Sequence, residues 1–386
     1  MKNPSPRLGE ETVRGELAMD VLKEMHCDGH EQVVFCHDKE SGLRAIIAVH
    51  STVLGPALGG VRMWPYASTD EALRDVLRLA KTMTYKAAVA GLPLGGGKAV
   101  VVGDPRRQKS EGLLRALGRA IEGLNGRYLT AEDVGMTVAD MEVVRKETRY
   151  VTGTSEKKGG SGDPSFLTAK GVFHAIEVCL REIHGDPSIQ NRTVAIQGVG
   201  KVGYHLAELL ATAGARLVIA DTDSKKAILA RQEFEAWLVD PEEILEAECD
   251  VLSPCALGGV LNRKTIPRLR CRAIAGSANN QLEQPADAAR LEEQGILYAP
   301  DYVVSAGGIM NISVELQGGC KGYDRAQAER LVQQIPKTLK QVFAKARAGG
   351  ITTAQAADEL AEARLEEAYA QRSTEHRHGR RTRRRR

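Results

Sequence analysis

The stretch that decides the fold is T-V-A-I-Q-G-V-G-K-V-G, residues 193–203. A short run typical of a strand leads directly into three spaced glycines, and an apolar helical pattern follows at Tyr204–Ala213. In such a unit the first glycine permits the tight turn, the second lets backbone approach a pyrophosphate, and the third lets helix and strand pack closely. The spacing predicts a dinucleotide-binding loop, and its residues are Gly198, Val199, Gly200, Lys201, Val202 and Gly203.

An acidic residue ends the next predicted strand, at Asp221, eighteen residues after Gly203. An acid at this place can accept hydrogen bonds from both ribose hydroxyls of NAD and repels the 2′-phosphate of NADP. Lys225 and Lys226 lie nearby and weaken that preference without reversing it. The pattern therefore predicts NAD as the cofactor, and the alternative is a tight turn followed by a solvated aspartate.

Strands and helices alternate on both sides of this loop. The chain of 386 residues is too long for one ordinary core, so two domains are expected. Five short apolar strands between residues 194 and 299 alternate with helices, which predicts a parallel sheet covered on both faces. Two long helical patterns, Leu331–Ala348 and Ala354–Ala370, are expected to pack back on the first domain. The predicted fold is α/β, with a substrate domain at 1–152 completed by helices at 333–371, a Rossmann-type domain at 153–332, and a cleft between them.

In the first domain, two strands and one long helix precede a glycine-rich segment. Gln32–Cys36 and Gly42–His50 have strand patterns. A helix starts at Ser68, whose spacing to Glu71 is that of a capping box. Gly91–Gly97 is predicted to break this helix, and a buried strand is expected to resume after it.

Charge is concentrated at the C-terminal end. Residues 372–386 hold eight arginines and one glutamate, so the rest of the chain has 45 Lys+Arg against 49 Asp+Glu and a net charge of about −4. The end is predicted to be a disordered tail because like charges repel each other. The alternative is an arm that attracts nucleic acid, but the body has no basic surplus to support it, so no nucleic-acid partner is expected.

The remaining composition indicates a cytoplasmic protein. The longest apolar runs are only strand-length, and the first sixteen residues are polar and charged, so neither a membrane span nor a secretory signal is expected. The seven cysteines form no C-x-x-C pair, which indicates reduced thiols and no metal site.

Three more segments of the first domain carry chemistry: M-T-Y-K ending at Lys86, G-G-G-K ending at Lys98, and T-A-E-D-V-G around Asp133. Three consecutive glycines are expected to leave the Lys98 amine free to lie against a ligand. A lysine near another lysine and away from water loses proton affinity and can act as a base. Singly, these residues could be a snorkelling helix-end lysine, a solvated loop lysine and a helix cap; together with the dinucleotide loop they favour an enzyme.

These segments resemble the glutamate/leucine/phenylalanine/valine dehydrogenase family, most closely its leucine and valine dehydrogenases. The resemblance extends from about Gly29 to about Ala370. Besides the segments above it includes GPALGG at 55–60, PCALGG at 254–259, GSANNQL at 276–282 and APDYVVSAGG at 299–308. It implies reversible, NAD-dependent oxidative deamination of an amino acid to a 2-oxo acid and ammonia, in a symmetric homo-oligomer.

The resemblance also implies a role for each matched residue. Lys86 would hold the substrate carboxylate, Lys98 would be the base that activates water, and Asp133 would transfer the proton of the amino group. The other expected substrate-binding residues are Leu58, Gly59, Gly60, Met83, Ala131, Asn280, Ile309 and Ile312. Besides the glycine loop, the expected NAD-binding residues are Thr168, Asp221, Cys255, Ala256 and Asn280.

The predicted substrate is a branched-chain amino acid. Glutamate dehydrogenases of this family have a lysine where this chain has Leu58 and a hydroxyl residue where it has Ile312. A buried side-chain carboxylate would stay unpaired here, at a cost of several kcal/mol. Ile309 and Ile312 replace the smaller valines usual in leucine enzymes, which predicts a shorter pocket that favours valine or isoleucine over leucine.

Some positions depart from the family pattern and leave alternatives open. Ser305 stands where asparagine is usual, and Pro93 and residues 156–164 resemble members that act on other amino acids. An aromatic substrate, phenylalanine or tryptophan, is therefore the second hypothesis. A non-catalytic protein that senses NAD is the third, although it would need neither Lys98 nor Asp133.

Overall fold

The computed structural model describes the backbone at residues 19–318 and 322–383, and the side chains of these residues except Lys158 and those from 373 onward. The strands are β1 (Gln32–Asp38), β2 (Leu43–Ser51), β3 (Ala57–Leu58), β4 (Val61–Trp64), β5 (Gly95–Val102), β6 (Tyr128–Leu129), β7 (Thr193–Gln197), β8 (Arg216–Ala220), β9 (Trp237–Leu238), β10 (Cys249–Pro254), β11 (Cys271–Ile274) and β12 (Leu297–Tyr298). The helices are α1 (Val21–Asp28), α2 (Thr69–Val89), α3 (Glu111–Glu122), α4 (Val138–Val144), α5 (Ser165–His184), α6 (Lys201–Thr212), α7 (Ser224–Phe234), α8 (Ala286–Glu293), α9 (Asp301–Val304), α10 (Gly307–Gly318), α11 (Arg325–Val332), α12 (Ile335–Gly349) and α13 (Thr353–Arg383).

The first domain is built on a mixed sheet with the strand order β1-β2-β5-β3-β6, in which β4 also pairs with β5. The antiparallel pair β1–β2 confirms the two strands predicted at the start of the chain. Strand β5 lies between β2 on one side and β3 and β4 on the other. Lys98 faces Ala48 across this pairing and is therefore in the middle of the sheet.

Helix α2 ends at Val89, directly before the glycine-rich segment that the sequence predicts to break it, but Gly95, Gly96 and Gly97 already belong to β5. A Cβ at Gly95 would lie 2.0 Å from the Ser51 carbonyl oxygen, and one at Gly96 would lie 2.0 Å from the Thr84 amide nitrogen. Protein backbone therefore fills the space beside these glycines. They let β5 pack closely on its neighbours; the explanation that they clear room for a ligand at Lys98 is wrong.

The second sheet confirms the predicted parallel architecture. Its order is β12-β11-β10-β7-β8-β9, and every pairing in it is parallel. The two-residue edge strand β9 was not predicted, since it is too short to show a pattern. The strand order reverses beside β7, which is where open α/β sheets bind their ligands.

The C-terminal helices pack on both domains. Helix α13 lies on α2, where the Tyr85 hydroxyl donates a hydrogen bond to Glu362 at 2.8 Å. Helix α12 instead packs on α5 of the second domain and joins its side chains in the same apolar cluster. Of the two helices expected to return to the first domain, α13 thus contacts α2 there, whereas α12 contacts α5.

The structure also differs from the expected disorder of residues 372–386, because α13 continues to Arg383. Alanine, glutamate, glutamine and arginine, which are good helix formers, dominate this helix up to Arg372. The Arg372 guanidinium donates to the carbonyl of Thr52 at 2.6 Å, which ties this part of the helix to the first domain. Residues 384–386 lie outside the described residues.

Two buried histidines beneath the first sheet predict a loss of stability in acid. His50 is hydrogen-bonded to Thr84 Oγ1 at 2.8 Å and to the Asp28 carbonyl at 2.9 Å, and its ring lies 4.8 Å from that of His30. Burial, together with the neighbouring His30, lowers the pKa of His50 to about 4. Between about pH 6.5 and pH 4 the unfolded chain binds a proton at this residue that the folded chain does not. Acid therefore favours unfolding, by about 3 kcal/mol at most from His50.

We expect the free energy of unfolding, measured by urea denaturation between pH 7 and pH 4, to fall less steeply in His50→Gln than in the wild type. His37→Gln, at an exposed position of β1, is the control and should keep the wild-type slope. Equal slopes in the wild type and His50→Gln would contradict the prediction.

Candidate active site

The centre of the candidate site is a buried ion pair between Lys98 on β5 and Asp133 in the loop after β6. The Lys98 ammonium contacts Asp133 Oδ2, and its side chain is only 6% exposed. The loop lies along β4, where Val61 and Met63 donate backbone hydrogen bonds to the carbonyls of Ala131 and Val134 at 2.8 and 2.9 Å. These bonds fix Asp133 beside β5, so two segments that the sequence only suggested are brought together.

Glycines make this close packing possible. A Cβ at Gly60 would lie 2.5 Å from the Glu132 carbonyl oxygen and 3.0 Å from the Asp133 Cβ. A Cβ at Gly59 would lie 1.7 Å from the Gly97 carbonyl oxygen. Both residues therefore serve the contact between β3, β5 and the Asp133 loop, and Gly59 also borders Met83, whose Cγ is 3.4 Å from that Cβ position.

The surroundings perturb both members of the ion pair. Burial lowers the pKa of Lys98, while the negative charge of Asp133 opposes this change. Burial would raise the pKa of Asp133, but the charges of Lys98 and Arg62 outweigh it and lower that pKa to about 2. The result is a carboxylate that is ionised in the resting site, beside an amine whose proton is held less tightly than usual, as a general base requires.

Arg62, which was not among the residues predicted from the sequence, is also part of the site. Its Nε lies 3.4 Å from Asp133 Oδ2, and its Nη1 donates to Asp75 Oδ2 at 3.0 Å. Arg62 alternates with the buried residues Val61 and Met63 of β4. The sequence signal that could have found it is an arginine alternating with apolar residues in a short strand pattern.

Lys86, near the end of α2, extends into the contact between the two domains. Its ammonium donates to Asn279 Oδ1 at 3.1 Å, and burial lowers its pKa to about 8. The charge of Asp301 opposes that shift, and the charge of Lys98 reinforces it. A lysine whose pKa is lowered by burial and by a second lysine is what the spacing of Lys86 and Lys98 suggested.

The sequence pointed to Asn280 rather than Asn279 at this place. Asn280 has a left-handed backbone with φ 53°, and its Oδ1 accepts a hydrogen bond from Thr82 Oγ1 at 3.2 Å. The two adjacent asparagines thus both bridge to α2, but Asn279 is the one on Lys86. The family pattern could not distinguish them without this geometry.

The expected substrate-pocket side chains come from both domains. They are buried and belong to one apolar cluster that extends across the domain boundary, with Met83 packed against it. Its members from the predicted pocket are Leu58, Ala131, Ile309 and Ile312. Within this cluster a substrate side chain would meet aliphatic surface.

The glycine loop has the geometry that a dinucleotide needs. Gly198 has φ +93°, and a Cβ at Gly203 would lie 1.9 Å from the Gly198 carbonyl oxygen. A Cβ at Gly200 would meet nothing within 4 Å, so there is open space above the start of α6. That helix has no side-chain N-cap, which leaves its first amides available to an anion. These residues therefore fit a pyrophosphate.

Asp221 is anchored by the same loop. Its two carboxylate oxygens accept hydrogen bonds from the amides of Val199 and Asp223, both at 2.8 Å. Each carboxylate oxygen has a second lone pair, so the carboxylate can still accept from ribose hydroxyls. Val202, the residue before Gly203 in the loop, is partly buried and packs against the apolar core.

Three further predicted cofactor residues lie around the loop and the domain boundary. The Cys255 amide donates to the Gln197 carbonyl at 2.8 Å, and Ala256 faces Gly198. Thr168, on α5, lies beside Gly308 of α10, the helix that also carries Ile309 and Ile312. Cys255 and Ala256 are thus next to the glycine loop, and Thr168 is next to the apolar cluster.

Lys201 connects the glycine loop to the other domain. Its ammonium lies 2.8 Å from Asp163 and 3.6 Å from Glu132, the residue before Asp133. Burial raises the pKa of Glu132, and Lys201 opposes that change. Through Lys201, the glycine loop therefore contacts the same loop that carries Asp133.

Within the described residues, no helix is both long and apolar enough to cross a membrane, and no cluster of three or more His, Cys, Asp or Glu residues could hold a metal ion. The described cysteines form no disulfide.

Known proteins match the chain over most of its length. Residues 30–150 match the family described as Glu/Leu/Phe/Val dehydrogenase, dimerisation domain, and residues 159–239 and 224–373 match the family Glutamate/Leucine/Phenylalanine/Valine dehydrogenase. A leucine dehydrogenase of Geobacillus stearothermophilus is 52% identical over 348 residues, covering 90% of this chain and 94% of the relative. A valine dehydrogenase of Streptomyces albus is 48% identical over 359 residues, covering 92% and 98%.

A solved structure agrees with these matches. The L-tryptophan dehydrogenase from Nostoc punctiforme superimposes with a TM-score of 0.75 and 41% identity, covering 90% of this chain and 99% of that one. The resemblance noted in the sequence is thereby confirmed, as is the two-domain α/β fold that it implied. The chain belongs to the Glu/Leu/Phe/Val dehydrogenase family of amino-acid dehydrogenases.

Proposed function

We propose that this protein catalyses the reversible, NAD-dependent oxidative deamination of a branched-chain L-amino acid to its 2-oxo acid and ammonia. The observation that carries the proposal is the buried Lys98–Asp133 pair, with Lys86 nearby and an aliphatic cluster at the same domain boundary. Its relatives named leucine and valine dehydrogenases, about half identical over most of their length, support the branched-chain substrate.

In this proposal each polar residue has one task. Lys86 exchanges its contact with Asn279 for the carboxylate of the substrate. NAD, when bound, supplies the acceptor for the hydride of the α-carbon. Lys98 in its neutral form removes a proton from the water that attacks the resulting imino carbon. Asp133, ionised beside Lys98 in the resting site, accepts a proton from the substrate amino group as the imine forms and returns it to the nitrogen as ammonia leaves.

The apolar cluster argues for the substrate class. Leu58 and Ile312 offer no donor or counter-charge, so the side-chain carboxylate of glutamate would be buried unpaired. An aliphatic side chain instead gains from burial at about 25 cal/mol per Å². The sizes of Ile309 and Ile312 favour valine or isoleucine over leucine.

The test is NADH formation, followed by absorbance at alkaline pH, with valine, leucine, isoleucine, phenylalanine, tryptophan and glutamate. We expect branched-chain turnover, with valine and isoleucine ahead of leucine, and none with glutamate. Turnover with aromatic amino acids alone would keep the reaction and replace the substrate class. NAD binding without reduction by any amino acid would favour the NAD-sensing protein.

Cofactor choice gives a separate prediction at Asp221. We expect Asp221→Asn to raise the ratio of kcat/KM for NADP to that for NAD about tenfold or more, because a negative charge facing the 2′-phosphate is removed. Asp223→Asn is the matched control: it removes an exposed charge two residues away and keeps an N-cap for α7. An unchanged ratio in Asp221→Asn would argue against its role at the ribose.

We further propose that the protein is cytoplasmic and forms a homo-oligomer. Within each chain, we propose domain boundaries between residues 152 and 153 and between residues 332 and 333. The matching dimerisation-domain family over residues 30–150 supports self-association. In the described part of the chain, β1 is an edge strand and carries Phe35 with 54% of its surface exposed. Light scattering coupled to gel filtration would measure the oligomer, and a monomeric mass would reject it.

A further inference from the structure

Arg62 lies between the carboxylates of Asp133 and Asp75. The mechanism above gives this arginine no role. Strand β4 runs parallel to β5, and Arg62 pairs with Val100, two residues after Lys98. Its Nε lies 3.4 Å from Asp133 Oδ2, close enough for an ion pair, and its Nη1 donates to Asp75 Oδ2 at 3.0 Å. The guanidinium therefore joins the Lys98–Asp133 pair to helix α2.

Asp75 and Tyr66 fix the part of the Arg62 guanidinium that does not contact Asp133. Asp75, on α2, accepts the hydrogen bond from Arg62 and another from the Tyr66 hydroxyl at 2.5 Å. Burial and the charge of Asp75 raise the pKa of Tyr66, so this phenol stays a donor. The three side chains are all partly buried. A planar guanidinium held in this way has one preferred orientation toward Asp133.

Charge balance shows what this arrangement does. When Lys98 gives up its proton, Asp133 would be a buried carboxylate facing a neutral amine. An uncompensated negative charge at that distance would draw the proton back to Lys98. Arg62 stays charged at every relevant pH and provides the missing counter-charge. The charged and titratable groups around Lys98 are Asp133, Arg62, Asp75 and Lys86.

We propose that Arg62, held by Asp75 and Tyr66, is a positioning residue that provides the permanent counter-charge of Asp133 and so keeps Lys98 available as a base. The proposal rests on the proposed function, because it assumes that Lys98 works in its neutral form. It differs from a purely structural role in one respect. A structural arginine would support the loop at all pH values, whereas this one acts on the protonation of Lys98.

The test is the pH profile of kcat/KM for oxidation of the best amino acid in Arg62→Gln and Arg62→Lys. In Arg62→Gln we expect the acid limb of the profile to move to higher pH by about one unit, so that activity below the limb falls about tenfold. Activity should recover as the pH rises. Arg62→Lys keeps the charge and should move the limb less.

Two controls keep the outcome clear. Arg74→Gln removes an exposed arginine charge beside Asp75 on α2 and should leave the limb unchanged. The pH dependence of Lys98 acylation by acetic anhydride, read by peptide mass spectrometry, reports the same protonation without turnover. This acylation profile tests the proposal in a folded but inactive variant, and Arg62→Met, which also removes the charge, replaces Arg62→Gln if that variant does not fold.

The outcomes separate this proposal from the proposed function. A wild-type protein that oxidises no amino acid would reject the function. A wild-type protein that does, together with an Arg62→Gln variant whose activity falls equally at all pH values and whose Lys98 acylation profile is unchanged, would reject the role of Arg62. A shift of both profiles to higher pH would support it.

Discussion

Replacing Lys98 with methionine is expected to lower kcat for amino-acid oxidation by a factor on the order of 10² to 10⁴, which is the range for loss of a general base. Methionine has a similar length and fills the same buried space on β5, so the sheet should survive. Asp133 would keep Arg62 as its ion-pair partner. NADH formation gives the rate, and quenching of protein fluorescence by NADH gives the dinucleotide affinity, which should stay unchanged.

Lys81→Met is the matched control for this variant. Lys81 is another ion-paired lysine of the first domain, on α2, where its ammonium lies 2.7 Å from Asp28. Its loss should cost no more than the small free energy of a partly exposed ion pair and leave kcat near the wild-type value. If Lys98→Met kept more than a tenth of the wild-type kcat, Lys98 would not be the base, and the chemistry would have to be assigned to another group.

Gly59→Ala is expected to lower the free energy of unfolding by about 4 kcal/mol or more, in the exceptional range that severe overpacking can reach. The added Cβ would lie 1.7 Å from the carbonyl oxygen and 2.7 Å from the carbonyl carbon of Gly97. Both atoms are backbone of β5, which cannot move away without breaking its pairing with β2 and β3. Any displacement would also shift Lys98, the next residue.

Gly112→Ala is the control for the change of residue type. Gly112 is exposed in the first turn of α3, and a Cβ there would meet nothing closer than 3.8 Å. Alanine at such a position stabilises a helix by roughly 0.5–1 kcal/mol. Urea denaturation measures both variants. A Gly59→Ala protein within about 1 kcal/mol of the wild type would show that β3 and β5 can separate, contrary to the structure.

Local patterns were sufficient where neighbouring residues control the conformation. The loop at 198–203 could be predicted because a tight turn, a close approach of backbone to a pyrophosphate and close helix packing each need glycine at a set spacing. The prediction for the start of α2 was also correct in part. Ser68 caps it by accepting from the Glu71 amide, but Glu71 reaches back to the amide of Ala67 instead of Ser68. Such details depend on side-chain placement that spacing alone does not show.

The ion-pair network required the folded chain. Lys98 and Asp133 could be singled out as candidates, whereas Arg62 and Asn279 could not, since their partners lie far away in sequence. The triple glycine was misread for the same reason: spacing cannot reveal that Ser51 and Thr84 backbone fills the space beside it.

The sequence alone therefore determined the parallel architecture of the second sheet, the dinucleotide loop and the residue types of the catalytic chemistry, because short-range turns and apolar periodicity encode them. Tertiary packing alone established which carboxylate faces Lys98, which asparagine faces Lys86, and that Arg62 joins them. The physical reason is that proton affinity and ion pairing depend on burial and on charges within a few ångströms, and these arise only when β4, β5 and the Asp133 loop come together.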